Sequence, residues 1–154
     1  MRQTFDRRSV LGICVGSAAG AALLASGAPS YAATTTFKAD LKGSSEVPPN
    51  TTAGTGTVTA TFDPATKTLS YSGSFSDLTG PVLAAHFHGP AEPGKNAGVQ
   101  IWISEKGKTF ESPFNGSVKL TDAQAADLMN GQWYVNLHTK ANPGGELRGQ
   151  LVKS

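Results

Sequence analysis

The chain's three histidines, His86, His88 and His138, all stand at the ends of apolar, alternating runs that lead into turns rich in Pro and Gly. In an extended strand residues i and i+2 project from one face about 6–7 Å apart, so His86 and His88 can offer two imidazoles to one ion. His138, from a neighbouring strand, would complete a triad. Three neutral imidazoles suit copper or zinc better than calcium or magnesium. They leave one coordination position for water or substrate, or for a fourth protein ligand drawn from Glu46, Glu92 or Glu146. Spacing does not choose among those carboxylates. The competing reading is structural: His86 and His88 donate to backbone carbonyls of the glycine-rich loops and hold the strand ends in place.

A short internal repeat bears on this choice. His88-Gly89-Pro90-Ala91-Glu92-Pro93-Gly94 matches His138-Thr139-Lys140-Ala141-Asn142-Pro143-Gly144 at His, Ala, Pro and Gly, with a constant offset of 50 residues. Each copy follows an apolar strand residue and precedes another alternating run, so the unit is strand, Pro-Gly turn, strand. Turn chemistry alone can produce such a match; a duplicated hairpin would put His88 and His138 at equivalent strand ends. Other chemistry lacks a signature. No Gly-x-Ser-x-Gly elbow occurs, no phosphate-binding glycine loop precedes a helix, and the acidic residues form no readable glycosidase pair.

The elements that must position the histidines follow from periodicity. Residues 34–41, 58–62, 68–75, 82–88, 99–103, 114–120, 133–138 and 146–151 alternate as half-buried strands do. Asp63-Pro64-Ala65-Thr66-Lys67 makes a tight turn between two of them. Gly43-Ser44-Ser45-Glu46-Val47-Pro48-Pro49-Asn50 reads as an extended surface loop, because its prolines cannot donate to a ladder. Thr121-Asp122-Ala123-Gln124 is a capping box opening the one clear helix, which Gly131 can end in the left-handed conformation. About eight short strands and one short helix predict a mainly β fold, an antiparallel β-sandwich or flattened barrel. By strand parity Ala85, Phe87, Trp133, Val135 and Leu137 face the core, leaving His86, His88, Tyr134, Asn136 and His138 on the other side. Trp102 is either an exposed contact residue or covered by the helix.

The chain has 154 residues, 38% of them hydrophobic and 16% charged, enough for one modest domain. Residues 1–32 read as a cleaved export signal, with Arg7-Arg8 before a mildly apolar run and Ser30-Tyr31-Ala32 as the cleavage pattern. Asp6-Arg7-Arg8-Ser9-Val10-Leu11 resembles a twin-arginine signal, a route for proteins that have already folded. The run is too short and too rich in Gly and Ser for a transmembrane anchor. Its removal takes three Arg, one Asp and the only cysteine, Cys14, leaving residues 33–154 without net charge or a disulfide. A neutral domain with no basic patch gives no electrostatic case for nucleic acid. Periplasmic or extracellular location, as a monomer, is the expectation.

Four ordered blocks carry a family resemblance: Glu46-Val47-Pro48-Pro49, Ala84-Ala85-His86-Phe87-His88-Gly89-Pro90-Ala91, Tyr134-Val135-Asn136-Leu137-His138-Thr139 and Gly145-Glu146-Leu147-Arg148-Gly149-Gln150. Together they resemble the CHRD (chordin) domain over about Phe37 to Leu151. The resemblance implies a secreted β-sandwich domain, found in extracellular growth-factor antagonists and as a stand-alone bacterial module. It supplies no reaction, and without the accompanying cysteine-rich modules growth-factor binding does not carry over. A looser likeness is to copper–zinc superoxide dismutase, which also sets a His-x-His pair on a β-sandwich. No histidine remains here for a second, zinc site. The expected function is therefore an exported, non-catalytic binding or envelope-associated domain, with copper or zinc at His86, His88 and His138 and an unknown protein or envelope partner. The alternative is a copper-dependent redox enzyme.

Overall fold

The computed structural model describes residues 33–104, 108 and 110–154; the export signal expected over residues 1–32 lies outside them. Among the described residues nine strands and one α-helix follow in chain order: β1 (Thr35–Lys42), β2 (Thr55–Asp63), β3 (Thr68–Ser76), β4 (Val82–His88), β5 (Val99–Trp102), β6 (Phe114–Lys119), α1 (Asp122–Met129), β7 (Tyr134–Thr139), β8 (Leu147–Gln150) and β9 (Val152–Lys153), with a single 3-10 turn at Gly43–Ser45. The fold is mainly β, as the alternation predicts. Eight strands form one continuous antiparallel sheet in the order β5-β4-β7-β8-β1-β2-β3-β6, curled into a half-barrel, and the two-residue β9 adds to β1.

Period-two patterning explains which face turns inward. Phe37, Ala39 and Leu41 of β1 are buried while Lys38, Asp40 and Lys42 between them are exposed. On β2, Val58, Ala60 and Phe62 are buried, and Thr57 and Thr59 face solvent. The register sets Phe37 opposite Ala60 and Ala39 opposite Val58, so large and small side chains alternate across the ladder. Ala85, Phe87, Trp133, Val135, Leu137, Leu147 and Leu151 join the interior, each fully buried.

Strand parity places β4 and β7 correctly, but their second face is not left to solvent. Tyr134 and Asn136 are buried, as are His86 and His88, and His138 is half-buried. The loops on either side of these strands cover that face: Asn50 Nδ2 donates to the carbonyls of Gly145 and Glu146, and Asn96 Nδ2 donates to the carbonyl of Val47. Trp102, on the edge strand β5, stays half exposed.

The helix has the ends its sequence specifies. Thr121 Oγ1 accepts from Gln124 N–H and Gln124 Oε1 accepts from Thr121 N–H, a reciprocal cap. At the other end Gly131, with φ +74°, lets Gly131 N–H reach Leu128 O and Gln132 N–H reach Asp127 O. Leu128 is the helix residue driven fully into the core. Among the described residues no helix is long and apolar enough to cross a membrane. Thr121→Ala should lower stability by about 1 kcal/mol in a denaturant melt, since it strips one N-cap acceptor; an unchanged midpoint would show that tertiary packing alone holds α1.

Candidate metal centre

β4 and β7 pair antiparallel with His86 opposite Asn136 and Ala84 opposite His138. Residues of one parity on the two strands share a face, so His86, His88 and His138 lie on the same side. One ligand atom from each gathers so that all lie within 4.8 Å of one another. Ring centroids are 5.3 Å apart for His86 and His88, 5.0 Å for His86 and His138, and 6.0 Å for His88 and His138. This buried cluster could bind a metal ion.

The hydrogen bonds divide each outer imidazole into a structural and a free nitrogen. His88 Nδ1 is 3.0 Å from Ala97 O, and His138 Nδ1 is 3.0 Å from Pro143 O. A carbonyl only accepts, so both Nδ1 atoms donate and orient their rings, as partners outside a metal's ligand set do. The sequence reading assigned such donors to His86 and His88. The structure assigns them to His88 and His138, because His86 Nδ1 lies instead 3.2 Å from His138 Nε2. The Nε2 atoms of His86 and His88 are buried with no protein partner. A buried polar atom left so costs about 1–3 kcal/mol unless something else fills the role.

Electrostatics keep these rings neutral and available as ligands. Burial lowers His86 to about 4, helped by its two histidine neighbours. Burial also lowers His88 and His138, against the opposing pull of their carbonyl partners. Aromatic packing fixes the surroundings. Tyr134 stacks on His88 with centroids 4.9 Å apart and planes at 5°, and the Arg148 guanidinium sits 3.6 Å over the Tyr134 ring. Trp102 meets His86 at 4.2 Å and 89°.

The three carboxylates weighed as further ligands each have hydrogen-bond partners of their own. Glu46 Oε1 accepts from Asn136 Nδ2 at 2.5 Å. Gly145 backs this pair with φ +137°, and a Cβ there would lie 2.5 Å from Glu46 Oε1. Glu146 accepts from the hydroxyls of Thr52, Thr79 and Thr139 and from Thr79 N–H. Glu92 accepts from Gln132 at the surface. Among the described residues no carboxylate joins the histidine cluster at its spacing.

Sequence reasoning passed over Asn136, Tyr134 and Arg148 as parts of the centre's surroundings. The parity that grouped Tyr134 and Asn136 with His138 was a usable signal. Arg148 follows the same rule on β8, where it pairs with Asn136 between the core residues Leu147 and Leu151.

The two buried glutamates respond to pH with opposite signs. Burial raises Glu46 to about 7, against the hydrogen bond from Asn136 and the charge of Arg148. For Glu146 burial also pushes upward, but the threonine hydroxyls and the Thr79 amide overcome it and hold the carboxyl at about 2. Glu146 therefore stabilises the fold above its ordinary value of 4.5, and the contribution is lost as pH falls toward 2. Glu46 favours the fold while protonated, and that contribution is lost as pH rises from 4.5 through about 7. Glu46→Gln should leave the melting temperature nearly unchanged at pH 4 and raise it relative to wild type at pH 8. A variant equally destabilised at both values would contradict this assignment.

A family model described as the CHRD domain matches residues 37–151. No curated protein and no solved structure gave a match to the chain.

Proposed function

The chain belongs to the CHRD-domain family, and on that footing we propose that it is an exported, non-catalytic binding or envelope-associated domain whose His86, His88 and His138 hold one copper or zinc ion. The carrying observation is the pair of buried Nε2 atoms, on His86 and His88, that have no protein partner inside a cluster of ligand-competent imidazoles. A core without a metal would gain stability by replacing them with apolar groups. The choice of copper or zinc rests on an all-nitrogen donor set, which suits those borderline ions. Export rests on the twin-arginine-like leader.

A second reading, a copper-dependent redox enzyme, draws on one feature. Three protein ligands with no carboxylate beside them leave a coordination position for an exogenous molecule.

Metal analysis and calorimetric titration of the purified protein with copper and with zinc test both. One ion per chain should bind with sub-micromolar affinity, and His88→Ala should weaken it by more than about tenfold. Affinity weaker than micromolar for both ions would defeat the metal assignment. Dismutation or oxidase turnover by the copper-loaded protein would replace the non-catalytic reading with the enzymatic one, and its absence in a loaded sample would support the binding module. Exchanging Arg7 and Arg8 together for Lys should retain the precursor in the cytoplasm. Unimpaired export would argue for the ordinary secretory route.

A further inference from the structure

The hydrogen-bond geometry of the cluster determines where its protons sit. Ala97 O and Pro143 O only accept, so the Nδ1 atoms of His88 and His138 both carry hydrogen. A neutral imidazole carries hydrogen on only one of its nitrogens, so with Nδ1 protonated both Nε2 atoms are bare acceptors. His86 Nδ1 lies 3.2 Å from His138 Nε2. Two lone pairs do not face each other at that separation, so the proton between them belongs to His86 Nδ1. His86 Nε2 is then bare as well, and buried without a partner.

This proton is in the way of a metal. His138 has committed Nδ1 to Pro143 O, so Nε2 is its only ligand atom, and the His86 N–H already occupies that lone pair. The spacing is nonetheless that of two ligands on one ion. Nitrogens bound at about 2.0–2.1 Å in a tetrahedral site lie about 3.3 Å apart. We propose that His86 exchanges tautomer on metal binding: Nδ1 loses its proton and becomes the ligand, Nε2 gains one, and the ring stays neutral with no net proton released from it. The ligand set is then His86 Nδ1, His88 Nε2 and His138 Nε2.

Coordination through His86 Nε2 with Nδ1 still protonated is disfavoured on two grounds. It would aim an N–H at a nitrogen whose lone pair has gone to the metal. Turning the ring to escape this is opposed by the neighbours, since Trp102 meets His86 at 4.2 Å and 89° and His88 meets it at 5.3 Å and 83°.

The proposal rests on the metal-binding reading and is tested separately from it. Long-range proton–nitrogen correlation spectra of 15N-histidine-labelled protein report the tautomer of each ring. Without metal all three should show protonated Nδ1 and bare Nε2. With one equivalent of zinc(II), or of silver(I) as a diamagnetic monovalent probe, His88 and His138 should keep that form and His86 alone should change to protonated Nε2. A bound ion with His86 still protonated at Nδ1 overturns the exchange and leaves metal binding intact, as does a metal-free His86 already protonated at Nε2. If neither ion perturbs any of the three rings, the metal reading falls and the exchange with it. An amide variant gives a second readout: the Asn side chain ends near the Nδ1 position and the Gln side chain near Nε2. His86→Asn should therefore retain zinc at least about tenfold more tightly than His86→Gln, and the reverse order would refute Nδ1 ligation.

Discussion

The register of β4 against β7 is the constraint on which the centre depends. Side chains alternate faces with period two, so a slip of one residue would carry His86 and His88 into the hydrophobic interior and bring Ala85 and Phe87 out. The interior prevents this. Ala85, Phe87, Val135 and Leu137 are fully buried, and Phe87 packs against both Tyr71 and Trp133. The apolar face holds the polar one in place, and a site made of three neutral rings inherits its geometry from packing on the opposite side of the sheet.

The two Pro-Gly corners share more than a sequence match. Each end histidine turns Nδ1 onto a carbonyl of its own following loop, Ala97 O in one corner and Pro143 O in the other. The structural and metal-binding readings are therefore not rivals in this fold. A ring pinned through one nitrogen presents the other in a defined direction, and pre-orientation of that kind lowers the cost of assembling ligands. His86 lacks such a carbonyl and uses His138 instead, which makes it the adjustable member of the set.

Glu46 and Glu146 illustrate how the covering loops are held. Both are buried acids, yet one is held above the ordinary carboxylate range and the other below it. The difference is the number of donors each meets. Glu146 ties together segments distant in sequence through Thr52, Thr79 and Thr139. Glu46 has Asn136, and its loop lies against the second Pro-Gly corner, where Gly145 leaves room for the pair.

Much of this was legible in the residues alone. Alternation identified the strands and the core parity, the capping box and Gly131 marked both ends of α1, and the concentration of every histidine at two similar corners pointed to one location. These signals are local, carried by neighbours a few positions apart, and local sterics and burial decide them. The continuous order of the sheet, the burial of its second face, the commitment of the three glutamates to other partners and the division of protons among the rings were not legible. Each depends on which distant segments meet: Asn136 reaches Glu46 and Thr79 reaches Glu146 only after the sheet has curled and its loops have closed over it. Pairings over such separations are selected by the packing of the whole chain, and no short stretch of sequence contains them.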